Sequence, residues 1–281
     1  MRFRHEAIAG AILGGAIGDL LGGIAERGVL TFSDDTQLTV ATCEAILEAE
    51  KASPQAIAAQ MLAWFIAGRV SGVGSSTLKA MRDLEAGIHW ALAGARGERA
   101  AGNGAAMRIA PVAFCLDPAV HRDRTIIRDI SRITHHNEEA YVGALAVVFA
   151  IRAAAAGRVL PQAELAAYLP DSVVRDYLLR AAERTDRPFE IIAREIGTSG
   201  FAPETVAVAS MVVPRMIEQG IETAIYELNK LGGDTDTIAS IAGQIAGAVL
   251  GATNLPMHLL RDVPLSDHVI RVAEKFAASA A

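Results

Sequence analysis

"LGGDTDTIASIAGQIAGAVLG", residues 231 to 251, runs from a Gly-Gly turn through a knot of carboxylates and hydroxyls into a helix without charge. Within that helix Gly243, Gly247 and Gly251 recur every four residues. Residues four apart share one face of a helix, so this face is a groove with no side chains. The same spacing governs "GAILGGAIGDLLG" near the N-terminus, where Gly10, Gly14, Gly18 and Gly22 line up. Glycine costs about 1 kcal/mol against alanine inside a helix. A repeat in register therefore needs a return, and close approach of backbones supplies one, as small-residue faces allow. Both helices are expected at the centre of a bundle, each packed tightly against a neighbour.

The remainder of the chain agrees with a helical fold. Of the 281 residues 52% are hydrophobic but only 5% aromatic, so the core must come from Ala, Leu, Ile and Val. "SPQAIAAQMLAWFIAGR" offers Ser53 as N-cap, Pro54 at the first helical position and Gly68 as terminator. "SSTLKAMRDLEAG" follows the same logic and stops at Gly87. Further helices are expected at 5–22, 35–51, 103–115, 122–134, 138–156, 172–184, 202–231, 235–251 and 266–279. No stretch alternates as a strand would, and no composition shift divides the chain. The reading is a single all-α domain over residues 1–281, a multi-helix bundle.

Charge excludes some partners. The net charge is −6, from 26 basic and 32 acidic residues, and neither sign forms a run. A nucleic-acid backbone needs a basic face, so none is expected as a partner. Cys43 and Cys115 have no paired spacing and read as small buried thiols in a reducing, cytoplasmic compartment. Arg2 and Arg4 before the apolar run 7–18 mimic a secretory signal. The run is too short to cross a bilayer, which takes about 20 apolar residues. A buried first helix, no membrane partner and a monomer are the expectations.

Chemistry gathers in two acidic clusters at helix starts. "SDDT" places Ser33, Asp34 and Asp35 before one helix, and "DTDT" places Asp234, Asp236 and Thr237 before another. Capping accounts for one such residue at each helix. Four converging carboxylates would repel one another unless a cation held them. Oxygen donors without His or Cys select a hard ion, Mg²⁺ or Mn²⁺, with Ca²⁺ a further candidate. Residue types alone leave metal binding and capping both open. "AAGNGAAMRIAP" puts Gly102, Asn103 and Gly104 where bare N–H groups could cradle an anion, although an ordinary turn explains it equally. "SGVGSSTLK" lacks phosphate-loop spacing and reads as a helix start. His135 and His136 are adjacent, so at most one of them faces a given site.

Taken together, these segments resemble the ADP-ribosylglycohydrolase family. The matching pieces are "GAILGGAIGDLLG", "SDDTQLTVA", "GVGSSTLKAMRDLEAG", "AAGNGAAMRIAPVAF", "RITHHNEEAYVGALA", "GTSGFAPETVAVA" and "LGGDTDTIASIAGQIAGAVLGATNLP", and they run from residue 10 to 256. The resemblance implies an all-α fold with a binuclear Mg²⁺ or Mn²⁺ centre. Its metal ligands fall on Ser33, Asp34, Asp35, Asp234, Asp236 and Thr237. The diphosphate loop falls on Gly102, Asn103 and Gly104, with His135 and the aromatic Phe201 on the ligand side. ADP-ribose, or a substrate carrying it, is the implied partner. Its release would cleave the bond at the anomeric carbon of the distal ribose. The family's functional Glu falls on Glu26, counted from Gly18-Asp19, and Asp35 is the second candidate for a catalytic carboxylate. The chain departs from the family here, because only "RGVLTF" separates Glu26 from Ser33. That shortening keeps a catalytically silent, ADP-ribose-binding or structural member open as an alternative. A metal-dependent hydrolase of another nucleotide or glycoside is a second.

Overall fold

The computed structural model describes residues 2–184 and 187–281, with the side chains of Ala25 and Glu26 outside the described part. Two helices form its axis: α1 (His5–Gly22) and, far along the chain, α14 (Thr235–Leu250). A Cβ added at Gly10 would overlap the carbonyl oxygen of Gly247, and one at Gly14 that of Gly243. At Gly18 it would meet the Ala239 carbonyl and at Gly22 that of Thr235. One number rises by four as the other falls by four, so the helices run antiparallel, backbone against backbone. The expected tight neighbour of each glycine-striped helix is the other one. The C-terminal end of α1 is thereby set beside the N-terminal end of α14.

The other helices cover this pair. They are α2 (Ile24–Arg27), α3 (Asp34–Ala49), α4 (Pro54–Ile66), α5 (Ser75–Glu85), α6 (Ala110–Ala113) and α7 (His121–Arg132). Next come α8 (Glu138–Ala155), α9 (Gln162–Ala167), α10 (Val173–Ala182), α11 (Phe189–Ile196), α12 (Ala202–Gln219), α13 (Ile221–Asn229) and α15 (Ser266–Ala280). Helices α3, α13 and α15 lie against α1, while α8 and α12 lie against α14. The fold is all-α. No helix among the described residues is long and apolar enough to cross a membrane.

Four expectations change. The stretch 103–115 is no continuous helix: a 3₁₀ turn at Asn103–Ala105 and the short α6 replace it. Here the Asn103 N–H is spent on the Gly200 carbonyl at 3.0 Å, and Pro111 has no N–H to give. The stretch 202–231 is two helices, broken at Gly220, whose φ of 92° lies outside the helical region. A parallel ladder of two residues each, β1 (Ala95–Arg96) with β2 (His135–His136), appears where none was expected. Cys43 is buried as expected, but Cys115, in the turn after α6, is exposed.

Candidate active site

The two acidic clusters meet where α1, α3 and α14 converge. Capping explains little of their acidity. At α3 the hydroxyl of Ser33 caps the helix, accepting from the Asp35 N–H at 3.2 Å, so Asp34 and Asp35 have no capping duty. At α14 Asp234 holds the N-cap position, yet its side chain makes no cap bond. Its Oδ2 accepts instead from Asn103 Nδ2 at 2.6 Å. The Thr237 hydroxyl donates to Asp35 Oδ2 at 3.3 Å and so links one cluster to the other.

A fifth carboxylate joins them. Asp19, at the end of α1, is fully buried and accepts from the Ser33 N–H (2.9 Å), the Ser33 hydroxyl (2.8 Å) and the Thr36 hydroxyl (2.7 Å). In the sequence Asp19 reads only as the boundary of an apolar run. The available signal is its place directly after Gly18, in the stripe that brings α1 against α14. Arg27 enters the same pocket, with Nη2 2.9 Å from Asp19 Oδ1 and Nη1 2.9 Å from Asp236 Oδ2.

The pocket holds more negative charge than its own donors satisfy. Burial, reinforced by the Asp19 and Asp236 carboxylates, pushes Asp34 up to about 7. Burial and the neighbouring Asp236 take Asp234 to about 7 as well. Burial, then Asp19 and Asp34, hold Asp35 well above the usual carboxylate range. The Ser33 hydroxyl has one proton but lies within 2.9 Å of both Asp19 Oδ1 and Asp35 Oδ2. Asp35 Oδ1 is buried and has no hydrogen-bond partner among the described residues. Asp19, Asp35 and Asp236 each offer an oxygen within 4.8 Å of the others. An orphaned carboxylate oxygen in an all-oxygen donor set fits a hard divalent cation.

The wall opposite is the Gly102–Gly104 loop. Arg108, buried and without a carboxylate partner among the described residues, donates from Nη1 to the Gly104 carbonyl and from Nη2 to the Thr134 hydroxyl at 2.9 Å. Burial pushes its guanidinium down to about 10. Gln244 of α14 donates to the Met107 carbonyl at 2.5 Å, tying the loop to the central pair. Thr134 Oγ1 lies 2.7 Å from His135 Nδ1. Arg108 can only donate, so the Thr134 hydroxyl accepts from it. Burial, then the Arg108 charge, lowers His135 to about 3, so the ring is neutral. His135 lines the cleft beside Gly102 and Gly104, while His136 Nε2 pairs with the Ala93 carbonyl at 2.7 Å.

Clusters, loop and His135 open into one cleft of about 450 Å³, which the start of α5 and Arg99 also line. Arg99 does not stand out in the sequence, and Arg108 does so only as a member of the "AAGNGAAMRIAPVAF" segment, with no role of its own. Asp34, Asp35, Asp234, Asp236 and Thr237 line the cleft, with Ser33 buried behind them. Phe201 stands beside it: its ring is edge-on to Tyr177, with centroids 6.2 Å apart, and its backbone bridges to Gly102. Glu26 falls in α2, but its side chain lies outside the described residues.

A helical bundle whose central pair brings two acidic helix starts against a Gly-Asn-Gly loop is the arrangement that the sequence motifs implied. The chain belongs to the ADP-ribosylglycohydrolase family, which matches it over residues 2–281. Among individual relatives, an uncharacterized protein of Archaeoglobus fulgidus is 30% identical over 227 residues, covering 77% of this chain and 71% of its own. ADP-ribosylarginine hydrolase Tri1 of Pseudomonas putida is 24% identical over 292 residues, 95% of this chain and 76% of its own. A solved structure described as an ADP-ribosylglycohydrolase-related protein complex superposes with a TM-score of 0.75 at 25% identity, covering 99% of both chains.

Proposed function

We propose that the cleft hydrolyses the bond between the anomeric carbon of the distal ribose of ADP-ribose and the protein side chain or small molecule that carries it. One observation carries this reading. Asn103 Nδ2 joins the Gly-Asn-Gly loop to Asp234 at 2.6 Å, so that loop and the acidic pocket face a single cleft. A diphosphate at the one and a ribose at the other is the ligand with that spacing of chemistry.

Ser33, Asp34, Asp35, Asp234, Asp236 and Thr237 are the residues to hold two Mg²⁺ or Mn²⁺ ions. When bound, such ions fix ribose hydroxyls and make a water more acidic. The chain's own groups do the rest. The Gly102–Gly104 loop would take the diphosphate, with the His135 ring packed against both glycines in the wall of the cleft. Glycosidic cleavage passes through an oxocarbenium-like state, so the sugar must be held while its bond to the leaving group lengthens. Water adds its oxygen to the anomeric carbon as the bond to the leaving group breaks; one of its protons stays on the new hydroxyl, and the other passes through a carboxylate to the leaving group. Glu26 is the proposed base, with Asp35 as the second candidate.

A second reading, ligand binding without turnover, draws on the six-residue link "RGVLTF" after Glu26. One panel separates them: ADP-ribosyl-arginine, ADP-ribosyl-serine and free ADP-ribose, each with Mg²⁺ and with EDTA. Release of ADP-ribose that needs Mg²⁺ supports the hydrolase, and binding without release supports the silent member. No binding of ADP-ribose in any condition overturns both.

A further inference from the structure

Arg27 is the one described cation bonded to carboxylates inside the acidic pocket, and its placement is specific. The guanidinium bridges Asp19 Oδ1 and Asp236 Oδ2, each at 2.9 Å, and Nη2 also donates to the Asp19 carbonyl at 2.7 Å. The side chain is 19% exposed, and Nε is buried with no partner among the described residues. Two of the three carboxylates that come within ligand distance of one another are therefore taken by this one side chain.

A second observation, independent of charge, concerns Gly23. Its φ of −83° and ψ of −4° suit any residue, so the backbone does not demand glycine there. The demand comes from space: the three atoms a Cβ would strike all belong to the Arg27 guanidinium. Gly23 leaves a recess that the guanidinium fills.

At Asp236 the guanidinium and a metal ion would compete for one oxygen. Asp236 Oδ1 accepts from the Thr237 N–H at 2.9 Å and Oδ2 from Arg27. Asp19 accepts from Ser33 and Thr36 in addition to Arg27, so it is saturated. An ion bound to Asp236 would sit about 2.0–2.1 Å from a carboxylate oxygen if it were Mg²⁺. The guanidinium cannot keep that oxygen at the same time without two cations in contact.

We propose that Arg27 is a built-in counter-ion of the acidic pocket, which holds Asp236 in the metal-free protein and releases it when a divalent cation binds. The proposal rests on the reading of these carboxylates as metal ligands. Metal affinity is then set partly by how often Arg27 is away from Asp236, because the apparent dissociation constant is the intrinsic one divided by the competent fraction. A guanidinium in place nine-tenths of the time weakens binding about ten-fold.

Mn²⁺ alone is the probe, titrated into the chelator-stripped protein and followed by calorimetry and by the signal of free Mn²⁺ in electron paramagnetic resonance. Arg27→Gln removes the charge. Gly23→Ala keeps the charge and displaces it from the recess, which controls for a general loss of positive potential. Both variants are expected to bind Mn²⁺ about ten-fold more tightly than the parent. Arg27→Gln should also melt lower than the parent in EDTA and close that gap in Mn²⁺. Equal or weaker Mn²⁺ binding in both variants overturns the proposal. Tightening by Arg27→Gln with no change in Gly23→Ala also overturns it, because the effect is then one of charge and not of occupancy. If the parent and both variants bind no Mn²⁺ at all, the metal reading itself falls and takes this proposal with it.

Discussion

Replacing Gly247 by alanine sets two effects of opposite sign against each other. Helix propensity favours alanine by about 1 kcal/mol. Against that, the new Cβ would overlap the Gly10 carbonyl oxygen and lie 2.8 Å from its carbon and 3.2 Å from Gly14 Cα, where ordinary contact begins at 3.4 Å. All three atoms are backbone, so no side chain can turn aside, and the two helices must separate by on the order of 1 Å. Overpacking of a well-filled core costs about 1–3 kcal/mol, and a backbone obstruction belongs at the upper end. The expected net loss is about 1–2 kcal/mol. This corresponds to a drop of about 2–8 °C in Tm, at about 2–4 °C per kcal/mol for a chain of this order of size. Gly247→Leu should lose more. Position sharpens the test, because Gly247 lies about 16 Å along the axis of α14 from Asp236. Its variants should lose stability and keep Mn²⁺ affinity. Gly18→Ala, whose Cβ overlaps the Ala239 carbonyl beside Asp19, should lose both. Melts in EDTA and denaturant titrations give the stabilities. A Gly247→Ala protein that melts at or above the parent's temperature refutes the close-approach argument.

The remaining expectations concern the pocket itself. Because the folded chain holds Asp34 and Asp234 up to about 7, it keeps protons that an unfolded chain has released above about 4. Metal-free stability should thus fall as pH rises from about 4 to about 7 and level off above, and Mn²⁺ should flatten that fall. Melts in EDTA that are as high at pH 8 as at pH 5 would contradict this. Glu26→Gln should retain ADP-ribose binding and lower kcat by about 10²–10⁴-fold on a substrate the parent cleaves. A parent-like kcat removes Glu26 from the mechanism and makes Asp35→Asn the next variant to measure.

Legibility in the sequence divides along the line between local and long-range causes. The glycine stripes are legible because spacing of four is a property of one helix. Their mutual partnership is not, since a stripe defines a face and says nothing of what covers it. The acidic clusters are legible as helix starts for the same local reason. Whether they cap or hold an ion turns on where Asp234 points, and that depends on Asn103, which is distant in sequence. Residues 103–115 read wrongly as one helix because propensity is a weak prior, and here the Asn103 backbone and side chain are both committed to other segments. Asp19 has only its place after Gly18 to mark it and Arg27 has no local signal, because their roles come from contacts with Ser33, Thr36 and Asp236.

The stripe and the pocket are nonetheless one device. A carboxylate at the end of α1 can meet carboxylates at the start of α14 only if the two helix ends come nearly to backbone contact. Side chains at Gly18 or Gly22 would hold them apart, and with them Asp19 and Asp236. The same contact sets the negative, C-terminal end of α1 against the positive, N-terminal end of α14, so the two dipoles largely offset. What draws a cation is the carboxylates together with the carbonyls that end α1. Arg27 answers both demands with one group, donating to the Asp19 carbonyl as well as to two carboxylates. A divalent ion that displaces it from Asp236 thus inherits a field shaped by the helix pair. The Gly18→Ala variant tests that link, because it should loosen Mn²⁺ by parting the helix ends while every metal-site carboxylate is kept in the sequence.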